Sequence, residues 1–391
     1  MGINGIPEEP VAYLNMAGAG RVSQNVLEKI QKYQAIESVI GAYDTETVFE
    51  DVLETGVYES LSKLLHCSAR DIALFENATR AWIEVVSRIP LKGKTRIITT
   101  PYEYAGNLQI LRTLCSRHGL KLLVVPCDDV GDLDLQWLRG NLSEGVALVS
   151  IVQVPSSCGI VNPLEDIGEI LGPYAVPYIV DACQAVGQVP ISTVVSGCGA
   201  LTGAGRKFLR GPRGTGFAFV SEELRSRLHA GFVDLHRSEF QEDGELELDL
   251  TSARSLGMAE KNCSGVFGLA AAVDECLARR PEEQNIDAFL LLREEISTLP
   301  GVIPIDPGRF RSSIFTFRHE VVDAVVIVAK LWRHGVVGWR IKGSHTPLQM
   351  LGQGHVEAVR LSSDELSIEE SQATISALEF VLSEPDLKLV E

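Results

Sequence analysis

The sequence predicts an α/β protein, a mostly parallel seven-stranded-type sheet covered by helices, with a smaller C-terminal α+β domain. Three observations carry this expectation. Short apolar runs alternate with helix-spaced segments from residue 72 to residue 220. One such run, Val176–Val180, ends at Asp181, as a buried strand does when it delivers a carboxylate to the carboxyl edge of a sheet. After residue 255 the rhythm changes to a long helix followed by mixed helices and short strands.

The elements follow in order. Val22–Ile40 has helical spacing and stops at Gly41, and Val48–Leu65 repeats the pattern. Strands are expected at Ile72–Phe75, Arg96–Thr100, Lys121–Pro126, Val146–Val154 and Val176–Val180. Helices are expected between them at Thr79–Ser87, Gly106–His118, Leu133–Asn141 and Pro163–Leu171. Gly216–Val220 reads as a strand and Ser221–Leu228 as a helix. The polar, acidic stretch Asp234–Asp249 has no clear period and reads as a loop, its acidic run Glu239–Asp249 a solvated face. A long helix spans Ala259 to Arg280, broken by Pro281 and Glu282. Beyond it, short strands are expected at Ser313–Phe317, Val336–Trp339 and Ala358–Leu361. The division drawn is a large domain over residues 15–255 and a small one over 256–391, with residues 1–14 packing near the small one.

Composition narrows the function classes. The 391 residues are 45% hydrophobic and carry a formal charge of −17. That charge disfavours nucleic acid as a partner. No apolar run reaches the roughly 18 residues of a membrane span, and Met1–Pro10 lacks a basic leader region. The eight cysteines are scattered, with no C-x-x-C pair, and read as free thiols in a reducing cytoplasm. No metal site is expected.

The chemistry centres on Lys207. It lies 26 positions after Asp181 in the Gly-rich stretch Gly203-Ala204-Gly205-Arg206-Lys207-Phe208-Leu209-Arg210-Gly211-Pro212. A carboxylate to keep a pyridine nitrogen protonated and a lysine to form a Schiff base are the two groups that pyridoxal phosphate requires. Gln184 can offer its amide to the phenolic oxygen. Asn77, Ala78 and Thr79 follow a strand and open a helix, so their free N–H groups suit a phosphate. Tyr104 can stack on the ring. Singly, each residue has an ordinary explanation as a cap, a packing group or a solvated side chain. Their placement on successive strand ends argues for one crevice.

The stretches Val180-Asp181-Ala182-Cys183-Gln184-Ala185-Val186-Gly187 and Gly205–Gly216 resemble the class V aminotransferase family of fold type I pyridoxal phosphate enzymes. The branch they are most similar to is that of isopenicillin-N epimerase-like proteins and hercynylcysteine sulfoxide lyases. The resemblance covers most of the chain and extends to Tyr13-Leu14-Asn15, Glu103–Asn107, Val154–Gly159 and Val359–Ser362. It implies that Lys207 is catalytic, that Asp181, Gln184 and Ser156 hold the cofactor ring side, and that Arg206 joins Ala78 and Thr79 at the phosphate. It further implies that Arg360 grips the substrate carboxylate bidentately, and that Arg340 and His345 reach over the cofactor toward a polar substrate group. A homodimer is implied, with Thr251–Asn262 reaching the neighbouring subunit.

The chain also departs from the family pattern. Trp339–Pro347 contains no cysteine where desulfurases carry a nucleophile, so a persulfide-forming cysteine desulfurase is not expected. Ala204 stands where a phosphate-binding serine is common, and Ser363-Asp364 replaces a His-containing stretch. The function expected is therefore a pyridoxal phosphate enzyme acting on an amino acid through an external aldimine and a Cα carbanion. Within that class the expectation is a C–S lyase working by β-elimination on a cysteine conjugate in a biosynthetic pathway. Aminotransferase, epimerase or decarboxylase chemistry is the alternative within the family. A catalytically degenerate binding homologue is the alternative outside it.

Overall fold

The computed structural model describes residues 9–229, 231, 234, 238–248, 251–280 and 286–383. The chain enters through β1 (Ala12–Tyr13), α1 (Gln24–Ile40) and α2 (Ala42–Val48), then a π-helical turn at Asp51–Gly56 and α3 (Val57–Leu65). Ser23 caps α1 by accepting from the Val26 N–H, and Gly41, at φ 85°, ends it. The expected helix Val48–Leu65 is thus interrupted. The wider turn lets Phe49, Leu53 and Val57 all face inward, and Phe49 packs on Tyr33 and Phe267.

The alternating region runs β2 (Ile72–Phe75), α4 (Ala78–Val86), β3 (Arg96–Thr99), α5 (Ala105–His118), β4 (Lys121–Val124), α6 (Leu135–Asn141) and β5 (Val146–Val152). It continues through α7 (Leu164–Leu171), β6 (Tyr178–Asp181), α8 (Thr193–Ser196), β7 (Ala200–Ala204), β8 (Gly216–Val220) and α9 (Glu222–Arg225). The seven strands form one sheet in the order β2-β8-β7-β6-β5-β3-β4. Only β8 runs against its neighbours, pairing antiparallel with β2 and β7. All seven residues of β5 are buried, as expected for a central strand covered on both faces.

β7 has no counterpart among the expected strands. Its sequence, Ala-Leu-Thr-Gly-Ala, is broken by Gly203, over which the Phe217 ring of β8 lies. A Cβ on Gly203 would sit 2.2 Å from that ring. The acidic stretch expected as a loop is instead a hairpin of β9 (Ser238–Phe240) and β10 (Leu246–Leu248), turning at Gly244 with φ 84°. Asp249, the end of that acidic run, lies outside the described residues.

The chain then passes through α10 (Cys263–Arg279), α11 (Asp287–Thr298), β11 (Val302–Pro304), β12 (Ile314–His319), α12 (Ala324–Arg333), β13 (Val336–Val337), β14 (Trp339–Lys342), β15 (Glu357–Ser362) and α13 (Ile368–Ser383). α10 begins four residues later than expected because Asn262 caps it, accepting from the Gly265 N–H. The expected break at Pro281 and Glu282 lies outside the described residues, as do residues 1–8 of the amino-terminal segment. α10 packs on α1 and α3, within the core under the large sheet.

A second sheet, β11-β12-β15-β14, is antiparallel throughout. Its core gathers Phe289, Phe315, Phe317, Leu331 and Leu378, together with Ala12 and Leu14 from the start of the chain. β1 pairs in parallel with β13, and Asn15 bridges to Ser362. The amino-terminal segment is therefore tied to the small-sheet side of the molecule. Among the described residues no helix is long and apolar enough to cross a membrane.

Candidate active site

β6 ends at Asp181, which is buried at the carboxyl edge of the large sheet. One carboxylate oxygen accepts from the Cys183 N–H at 2.9 Å, the other from the Asn107 side-chain amide at 2.8 Å. Neither partner is cationic, so the carboxylate is oriented without being neutralised.

Lys207 lies in the turn between β7 and β8. Backbone bonds set this turn: Gly205 N–H to Thr215 O, Arg210 N–H to Lys207 O, and Gly211 N–H to Gly205 O. Arg210 takes a left-handed backbone, φ 58°, which a side-chain-bearing residue holds only under tertiary constraint. That constraint is its ion pair with the buried Asp364 at 2.7 Å. Burial lowers the Lys207 amine pKa from its ordinary value. Cys183 and Asp181 oppose this, while Arg206 and Arg360 add to it. The amine thus sheds its proton more readily than a surface lysine.

The turn before α4 supplies the third feature. Asn77 caps the helix by accepting from the Arg80 N–H at 2.9 Å. Gly216 allows this turn to approach the sheet: a Cβ there would lie 2.4 Å from the Asn77 carbonyl carbon and 2.6 Å from the Ala78 nitrogen. Ala78 and Thr79, the first residues of α4, line the cavity, an arrangement suited to a phosphate.

One cavity is lined by Asn77, Ala78, Thr79, Tyr104, Ser156, Asp181, Gln184, Arg206 and Lys207. All nine residues expected at a cofactor therefore share it. Tyr104 is 40% exposed and its ring lies over Gly106. The Gln184 side-chain nitrogen donates to the Ala17 carbonyl at 3.0 Å, while its buried Oε1 has no hydrogen-bond partner. This amide holds the amino-terminal segment and retains unused hydrogen-bonding capacity at the cavity wall. Arg206 also binds that segment, donating to the Gly18 carbonyl. Asn107, Cys183 and Thr215 line the cavity too and were not singled out from sequence.

The residues expected at the substrate separate. Arg360, on β15, is 4% exposed; it donates to Ser156 O at 2.9 Å and to Asn15 Oδ1 at 3.4 Å. Its Nε has no partner, and no carboxylate pairs with it among the described residues. Burial, with Arg206 contributing, lowers its pKa to about 10. A buried guanidinium without an anion is a receptor for one. His345 is exposed on the turn after β14, and burial followed by the charges of Arg360 and Lys342 lowers its pKa. None of the three lines the cavity itself: Arg360 reaches its wall through Ser156, and Arg340 pairs with Glu357 at 3.4 Å across β14 and β15.

Residues 12–378 match the model of the aminotransferase class-V family. A probable cysteine desulfurase of Synechocystis sp. is 30% identical over 57% of this chain and 53% of its own length. The matched stretch thus spans about half the length of the first of these relatives. A probable cysteine desulfurase of Halalkalibacterium halodurans is 25% identical over 84% of this chain and 82% of its own. Among solved structures, the cysteine desulfurase CsdA of Escherichia coli superposes with a TM-score of 0.85 at 18% identity, covering 95% of this chain and 94% of that one. The cystine C–S lyase C-DES, solved with its product cysteine persulfide, gives 0.83 at 18% identity, covering 95% and 98%. At these identities the structural likeness establishes the fold. The relatives' names overturn one expectation. The lack of a cysteine in Trp339–Pro347 was expected to exclude a persulfide-forming desulfurase, yet the curated relatives are themselves named cysteine desulfurases.

Proposed function

The chain belongs to the class V aminotransferase family of pyridoxal phosphate enzymes, and from that premise we propose that it breaks the carbon–sulfur bond of cysteine or a cysteine derivative. The observation that carries the reading is a single cavity joining Lys207 and Asp181, with the anion-free guanidinium of Arg360 held against its wall through Ser156. The choice of sulfur chemistry is supported by relatives named as probable cysteine desulfurases.

Pyridoxal phosphate, when bound, supplies the electron sink for bond breaking next to an amino group. The chain's residues do the remainder. Asp181 holds the positive pyridine nitrogen. The N–H groups of Ala78 and Thr79 bind the phosphate, with Arg206 beside them. Lys207 anchors the cofactor and then moves the proton at the substrate Cα. Its lowered proton affinity favours the free amine that this work needs. Arg360 orients the substrate carboxylate, which fixes which Cα bond stands ready to break. The proposal includes a homodimer, supported by the exposed apolar residues Val39, Tyr43 and Val48 near the junction of α1 and α2. It also includes a cytoplasmic setting, supported by eight free thiols.

The test is to incubate cofactor-loaded protein with L-cysteine, L-cystine, a cysteine S-conjugate and common amino acids, then measure sulfide, persulfide sulfur, pyruvate, ammonia and alanine. Sulfur release with pyruvate or alanine supports the proposal. Conversion of the cofactor to its pyridoxamine form with no sulfur released would replace it with transamination.

A further inference from the structure

Behind Asp181 lies a second carboxylate, on Glu103. It is fully buried and accepts four hydrogen bonds. Oε2 takes the hydroxyls of Thr99 at 2.8 Å and Ser150 at 2.7 Å. Oε1 takes the Tyr104 N–H at 3.1 Å and the Asn107 side-chain amide at 3.0 Å. The same Asn107 nitrogen donates to Asp181 Oδ2. One amide therefore couples the two carboxylates. The partners of Glu103 are neutral donors, and no arginine or lysine pairs with it among the described residues.

The arrangement is hard to explain as packing. A carboxylate taken from water without a cation is costly, and a neutral glutamine would fill the same space. Two of the four donors, the Tyr104 N–H and the Asn107 amide, can only donate, so Oε1 is held as an acceptor whatever the protonation of Oε2. Burial raises the Glu103 pKa to about 7, and the nearby Asp181 adds to the rise, so the charge is held against a gradient. A positive charge close to Asp181 would relieve both carboxylates.

We propose that Glu103, acting through Asn107, is a positioning residue for the cofactor: it fixes the Asp181 carboxylate and adds a second negative charge behind the pyridine nitrogen that Asp181 holds. Glu103 touches neither cofactor nor substrate. The inference rests on Asp181 being the pyridine partner, and it holds whichever substrate bond is broken.

The experiment compares the wild type with Glu103→Gln, Glu103→Asp and Asn107→Ala. Each is titrated with pyridoxal phosphate for affinity. Each loaded protein is then titrated with acid and base while the absorbance of the lysine-linked cofactor is followed. Removing one charge several ångströms away should lower the spectral midpoint of Glu103→Gln by about one pH unit and weaken cofactor binding about tenfold. Glu103→Asp keeps the charge and should stay closer to wild type. Asn107→Ala cuts the bridge and should also weaken cofactor binding, which keeps the test available if Glu103→Gln fails to fold. A wild-type midpoint and affinity in Glu103→Gln, or in Asn107→Ala where the first is not folded, overturns the proposal. An Asp181→Asn control separates the two levels. If it too shows a wild-type spectrum and affinity, the assignment of Asp181 fails and the inference falls with it.

Discussion

Glu103 and Arg360 are opposite cases of one physical problem, a buried charge without a counter-ion. For Glu103 the folded pKa is raised from 4.5 to about 7. Its contribution to stability is therefore fully present below pH 4.5 and is lost as pH rises through 7. The corresponding cost to the cofactor-free wild type at pH 8 is about 3 kcal/mol relative to pH 4.5. Glu103→Gln removes this dependence, so the stability of the variant relative to wild type should climb between pH 5 and pH 8, as read by denaturant unfolding at each pH. A parallel pair of curves would show that Glu103 does not titrate there. Arg360→Lys keeps the charge but loses the planar fork. It should lower kcat/KM about thirtyfold, mainly through KM, with cofactor affinity unchanged. An unchanged KM would remove Arg360 from the substrate. The Glu103–Asn107 pair was present in the sequence as an i, i+4 spacing just after a strand. Nothing local showed that its donors, Thr99 and Ser150, come from two neighbouring strands, so its chemistry became legible only in three dimensions.

At the level of elements, the site depends on close backbone approaches that only glycine permits. Gly216 is the sharpest case, because a Cβ there would collide with the backbone of the turn that opens α4. Gly216→Ala should cost about 2 kcal/mol and weaken cofactor affinity at least about tenfold, as followed by thermal unfolding and pyridoxal phosphate titration. Wild-type affinity would show that the turn before α4 does not hold the phosphate. The inner strands β3, β5 and β6 were readable because buried parallel strands are short apolar runs. β7 was not, because Gly203, over which the Phe217 ring lies, breaks its sequence. The hairpin of β9 and β10 was not, because strands of three residues each are too short for a period to stand out beside the acidic stretch between them. The position of Asp181 was legible because it closes an apolar run, and that of Lys207 because it lies in a Gly-rich stretch 26 positions later. The Arg340 ion pair was not legible, because the sequence of β14 alone does not show that Glu357 stands near it on β15.

Across the whole molecule, the two sheets meet at the cavity, and the contacts that join them are the ones that shape it. Arg360 of the small sheet holds Ser156 of the large one. Arg210, three residues beyond Lys207, is anchored to Asp364 and Glu365 just after β15. The amino-terminal segment binds Ser362 on one side and Gln184 and Arg206 on the other. Such a seam is long-range by nature, and composition and periodicity carry no trace of it. The class of fold and the cofactor were legible, whereas the bond broken was not, since fold and cofactor leave it open. The central claim is that this seam selects one lysine of the chain. The direct measurement is to load the protein with pyridoxal phosphate, reduce it with borohydride, and map the modified peptide by mass spectrometry. The label is expected on Lys207 alone, and to vanish in Lys207→Ala. A label on another lysine, or none on the wild type, would contradict the account.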